Sequence, residues 1–167
     1  MHSGDIEIAL AGHLGTNCNL IVPNISYGLN FSHELDLLVV TKSGYADEIE
    51  IKISKSDLKA DTKKKHGHHS DRIKRLYFAV PKFMEEYALK NIPERAGLFV
   101  INEKDGFVGR VECVKVAKLN KNFRKLNEKE MNHLYELVAL RMWSLKRALY
   151  SLQKRYNKIK SENEEEK

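Results

Sequence analysis

Residues 33–61, HELDLLVVTKSGYADEIEIKISKSDLKAD, alternate in a way that fixes a local structure and suggests a chemistry. Asp36 opens an apolar run, Lys42-Ser43-Gly44 supplies a turn, and the return segment reads Glu48-Ile49-Glu50-Ile51-Lys52-Ile53. Side chains on a strand point alternately to its two faces. The pattern therefore predicts a hairpin of strands near 34–41 and 46–53. Glu48, Glu50 and Lys52 share one face, and Ile49, Ile51 and Ile53 turn to a core. With the reversal at Ser43-Gly44, Asp36 falls opposite Glu50 or within a residue of it, about 4.8 Å away on the neighbouring strand. Carboxylates that close repel each other unless a cation lies between them. Mg²⁺ suits such a pair, because it takes oxygen ligands and retains waters, one of which can become a nucleophile. Lys52 would orient that water or neutralise charge developing on a phosphate. The competing reading of the same alternation is a half-exposed strand with no chemistry.

Further segments extend the pattern in a fixed order. Glu7 lies in an N-terminal helical segment. Glu34-Leu35-Asp36 and Glu50-Ile51-Lys52 follow, and then Ser54-Lys55-Ser56-Asp57-Leu58-Lys59-Ala60-Asp61. Leu76-Tyr77-Phe78-Ala79-Val80-Pro81 and Ala96-Gly97-Leu98-Phe99-Val100 complete the series. Together these segments resemble the PD-(D/E)XK nuclease superfamily, and within it the MmcB-like DNA-repair family, over about the first hundred residues. The resemblance implies a restriction-endonuclease-like α/β fold, with a mixed central β-sheet flanked by helices. It also implies a divalent metal, Mg²⁺ or Mn²⁺, held by Asp36 and Glu50, with Lys52 and Glu7 as the other catalytic residues and DNA as the substrate. Two departures stand out. Glu34 occupies the position of the family's usual Arg. Lys63-Lys64-Lys65-His66-Gly67-His68-His69 replaces a Lys-Trp pair expected after Asp61.

Ser54 and Asp57 have the spacing of a capping box variant, which predicts a short helix directly after Lys52. Its N-terminus would lie near the metal site and favour a phosphate. Lys55 and Lys59 sit one turn apart on that helix, available for backbone contacts. The segment 62–70 reads as a basic loop whose Lys63, Lys64 and Lys65 would grip phosphates. A metal site at His66, His68 and His69 is the alternative, but it lacks further ligands evident in the sequence.

The remainder predicts a helix at 5–14 ended by Gly15, a first strand at 18–22, strands at 73–80, 97–102 and about 107–117, and a helix at 83–91. Asp105-Gly106 has the form of a hairpin turn. From 128 to 160, Met131, Leu134, Val138, Met142, Leu145, Leu149, Leu152, Tyr156 and Ile159 recur every three or four residues. That is one long C-terminal helix or a broken pair. The expected organisation is a core at 1–126, a helical segment at 127–160 and an acidic tail at 161–167. The helix is expected to pack on the core, with Trp143 as an anchor, or to form a homodimer seam.

Charge is unevenly spread. The chain of 167 residues carries +6, but its last seven hold four acids and one lysine. Nine Lys/Arg face three Asp between Lys52 and Arg75, and five Lys/Arg with no acid lie between Lys115 and Lys125. Such clusters suggest a polyanion partner. No run is apolar enough for a membrane span. Cys18 and Cys113 lack metal-ligand spacing and suit a reducing, cytoplasmic setting. The expectation is a metal-dependent DNA nuclease. The alternative is a nucleic-acid-binding module that keeps the fold without cutting, and a weaker third reading is an interaction subunit acting through its terminal helix.

Overall fold

The structure is a computed structural model and describes residues 1–26, 29, 31, 33–61, 68, 70–104 and 107–165. The Lys63–Lys65 grip, His66, His69 and the Asp105-Gly106 turn lie outside the described residues.

Contacts divide the chain into residues 1–127 and 128–167. In the first unit, helix α1 (Ser3–Leu14) precedes strands β1 (Asn19–Ile25), β2 (Leu35–Thr41) and β3 (Ala46–Ile51). Helix α2 (Lys55–Asp61) leads to β4 (Ile73–Pro81), and α3 (Glu85–Asn91), entered through a short 3-10 turn, leads to β5 (Gly97–Lys104) and β6 (Phe107–Lys115). The six strands form one sheet in sequence order. Pairing is antiparallel from β1 to β3, parallel across β3–β4–β5, and antiparallel again at β5–β6. The expected mixed sheet with flanking helices is present. The parallel pairs occur where a helix intervenes, as a crossover requires.

Local signals account for most boundaries. The His2 backbone N–H donates to Asp5 Oδ2 at 2.6 Å, so α1 starts two residues before the expected Asp5. Gly15, at φ +78°, ends it. Gly44, at φ +82°, makes the β2–β3 turn in a conformation that favours glycine.

Two cores cover the two sheet faces. Ile6 and Leu10 of α1 pack with Leu37, Val39, Ile49, Ile51, Tyr77, Ala79, Phe99 and Ile101. On the other face Leu58 of α2 and Ala88 of α3 pack with Leu76, Phe78, Val80, Leu98 and Val100. Ile49 and Ile51 thus enter a core as expected, but Ile53 lies past the end of β3 and is 39% exposed. The half-exposed reading of β3 does not hold. With β2 and β4 on either side and helices over the sheet, the alternate face bearing Glu48, Glu50 and Lys52 is also buried.

The second unit is a single α-helix, α4 (Glu128–Glu165), rather than a broken pair. Trp143, Leu145, Leu149 and Leu152 are each more than half exposed.

Candidate active site

The β2–β3 register sets the geometry. Leu37 pairs with Ile49 and Leu38 with Glu48; one step further along the same register, Asp36 stands opposite Glu50. Asp36 Oδ2 accepts the Ile51 backbone N–H at 2.8 Å. It therefore takes up a β3 backbone donor as well as offering a charge. Lys52 then gathers the acids. Its Nζ donates to Glu50 Oε2 at 2.7 Å and lies 3.4 Å from Asp36 Oδ2. It is also 3.4 Å from Asp61 Oδ1, on the last residue of α2. Glu50, Lys52 and Asp61 are buried, while the Asp36 side chain is 35% exposed. The cluster therefore meets solvent through Asp36.

A second group adjoins this one on the same face. Glu48 Oε1 lies 2.8 Å from His33 Nε2 and 2.6 Å from His68 Nδ1. The two imidazole nitrogens are 3.1 Å apart, and His68 Nε2 is 2.8 Å from Asp61 Oδ2. Arg95 Nη2 donates to the His68 carbonyl at 2.8 Å. One ligand atom each from His33, Glu48, Glu50 and His68 fits within a cluster 4.8 Å across. Glu48 Oε2 and Glu50 Oε1 are buried with no hydrogen-bond partner among the described residues.

These contacts bias the protonation states. Burial pushes the Glu50 carboxyl above its ordinary range; Lys52 opposes this, and Asp36 and Glu48 reinforce it. Burial disfavours charge on Lys52, but Glu50 and Asp36 more than compensate and hold it well above the usual lysine value. Burial likewise disfavours charged His68, yet the hydrogen bonds to Asp61 and Glu48 raise it to about 9. The same exchange runs the other way on Glu48, where burial is overcome by His33 and His68 and the carboxyl is lowered.

Asp36, Glu50 and Lys52 are thus together, as their spacing predicts. Glu7 lies half-buried on α1, whose buried residues pack on the opposite sheet face. Lys55 and Lys59 are exposed on α2. Ser54 acts as the expected cap, its Oγ accepting the Asp57 N–H at 3.1 Å. At seven residues α2 is barely two turns long, which leaves little dipole for binding a phosphate. Sequence reasoning did not assign His33, Glu48 or Asp61 to the site. The period-two run already placed Glu48 beside Glu50. Nothing local signals His33, which reaches Glu48 only through the fold.

No family pattern matches the chain, and no curated protein matches it. Among solved structures it is similar to the SPO1766 protein of unknown function from Silicibacter pomeroyi, with a TM-score of 0.61 and 22% identity over 89% of this chain and 92% of that one. At that identity the likeness shows a shared fold.

Proposed function

We propose that the protein is a Mg²⁺- or Mn²⁺-dependent nuclease acting on DNA, in repair or processing. The observation behind this reading is the convergence of Asp36 and Glu50 on Lys52, two carboxylates and an ammonium joined across neighbouring strands. A divalent cation suits the donors. Glu50 keeps a buried oxygen without a hydrogen-bond partner among the described residues, and Asp36, Glu50 and Asp61 set three carboxylates around one lysine. Asp36 and Glu50 would hold the ion, with the Ile51 carbonyl as a third ligand. The ion would supply charge stabilisation and an acidified water as nucleophile.

The chain's own groups take complementary roles. Lys52 is held as the ammonium, so it acts as a donor that orients water or a phosphate oxygen rather than as a base. Asp36, at the exposed edge, is where a phosphodiester reaches the cluster. Lys55 and Lys59 neutralise the flanking backbone, with Lys63, Lys64 and Lys65 in the same role. Glu7, on the helix that packs on the opposite sheet face, has no role in this reading.

One observation favours the alternative, a nucleic-acid-binding module that does not cut. Lys52 already lies within 3.4 Å of three carboxylates, and a closed ion-pair cluster of that kind can be purely structural. Cleavage of supercoiled and linear DNA with Mg²⁺, Mn²⁺ or EDTA, comparing wild type with Asp36→Asn, separates the two. The nuclease predicts metal-dependent nicking lost in Asp36→Asn, which keeps an acceptor for the Ile51 N–H. Tight, salt-sensitive binding without scission by either protein would favour the binding module.

A further inference from the structure

We infer that His33, Glu48 and His68, with Glu50 as a fourth donor, form a separate site for a divalent transition-metal ion of the Zn²⁺ class. The inference goes beyond the nuclease reading, although Glu50 borders both sites.

The contacts outnumber the protons available to them. His33 Nε2, His68 Nδ1 and Glu48 Oε1 form a triangle with edges of 2.8, 2.6 and 3.1 Å. Each ring nitrogen carries at most one proton, and the carboxylate carries none. Three close contacts therefore share at most two hydrogens, and one edge joins polar atoms with no proton between them. Ligands about 2.0–2.1 Å from a metal stand roughly 2.9 Å apart in octahedral geometry and roughly 3.3 Å apart in tetrahedral geometry. The triangle has about the size of one face of such a shell.

His68 turns its other nitrogen, Nε2, to Asp61 Oδ2 at 2.8 Å. A ligating histidine commonly donates its remaining N–H to a carboxylate, which fixes the ring and strengthens it as a ligand. Arg95 fixes the His68 backbone on the far side.

Glu48 Oε2 and Glu50 Oε1 are fully buried without hydrogen-bond partners among the described residues, an arrangement that is costly unless something else satisfies it. Glu50 Oε2 is held by Lys52, which leaves Oε1 for the cluster. Two imidazoles and two carboxylates form a neutral-plus-anionic donor set that matches a 2+ ion. Imidazole selects Zn²⁺, Co²⁺ or Ni²⁺ over Mg²⁺. The three strongest donors come from the segment before β2, from β3 and from the segment before β4. A bound ion would tie both segments to the central strand.

The test uses the full chain, stripped with EDTA and titrated with Zn²⁺, followed by zinc X-ray absorption. The expected result is one tightly held Zn²⁺ per chain, with two imidazoles in its coordination shell. Affinity should fall at least about tenfold in His33→Ala and be retained in Asp36→Asn. His33 serves as the primary variant because His68→Ala loses two buried contacts and can unfold. Folded wild type that retains no Zn²⁺, zinc without imidazole ligands, or equal affinity in His33→Ala would each overturn the site. Cleavage with Mg²⁺ alone is a separate readout, so loss of the nuclease reading leaves this result standing, and the reverse also holds.

Discussion

The inner face of β3 and the apolar stripe of α4 invert the usual relation between polarity and burial. On β3 and just past its end, Glu48, Glu50 and Lys52 are 0%, 1% and 4% exposed. On α4, Leu145, Leu149 and Tyr156 are 70%, 67% and 67% exposed. Desolvating an ion costs several kcal/mol even after relaxation, and leaving a leucine in water forgoes about 1.5–3 kcal/mol. Neither region is arranged for stability. The difference lies in what completes each one. β3 has neighbours on both sides and its charges find partners in Asp36, Asp61, His33 and His68. α4 carries a seam that nothing within its own unit covers. Periodicity reports geometry reliably, but the side of a strand or helix that meets solvent is decided by the neighbours.

The largest expected effect comes from breaking the β3 cluster. Lys52→Met leaves Glu50, Asp36 and Asp61 without their shared cation, and should lower unfolding free energy by about 3–5 kcal/mol in urea titrations. An unchanged midpoint would mean that the carboxylates take up protons at little cost. Lys52→Ala is therefore not a clean probe of catalysis, which is why Asp36→Asn is preferred. A smaller effect is expected from pH. His68 titrates at about 9 in the fold against 6.5 in an unstructured chain. Its contribution is complete below about pH 6.5 and is lost as pH rises through 9. In EDTA, stability should fall across that window in the wild type and stay flatter in His68→Asn. Parallel curves would assign the fall to other groups.

How much of this was legible in the sequence follows from the range of the interactions. The β2–β3 hairpin and the opposition of Asp36 to Glu50 depend on a short turn and a period of two, so local pattern sufficed. Six strands and three core helices were likewise marked by turns, caps and apolar periods. Burial of Glu48 was not legible, because it depends on β4 and α2 covering a face that looks amphipathic in isolation. His33 and His68 are 35 residues apart, and their meeting is a consequence of strand order. The histidine tract was visible in the sequence, but the side chains that His68 meets lie on β3 and before β2 rather than nearby. The exposure of Trp143 was illegible for the opposite reason: a helix reveals its apolar face, not whether anything covers it.

The α4 seam yields the smallest change in fold stability and the clearest test of what covers it. Met142, Leu145, Leu149, Leu152, Tyr156 and Ile159 alternate by three and four residues, the spacing of a coiled-coil seam. Between Arg141 and Lys160 there are seven Lys/Arg and no acid. In a parallel homodimer Arg155 of one copy would face Lys160 of the other across the flanking positions, a repulsive pair. Self-association through this helix should therefore be weak at 0.1 M salt and strengthen toward 1 M, as the screening length falls from about 10 Å to about 3 Å. Sedimentation equilibrium at the two salt concentrations measures it. Leu149→Glu should abolish any dimer while changing the unfolding free energy of the core by no more than about 0.5 kcal/mol. A dimer strongest at low salt would mean that the cations pair with acids rather than face one another. The absence of any dimer at either salt would turn the seam toward an acidic partner of different sequence, whose binding must weaken as salt is added.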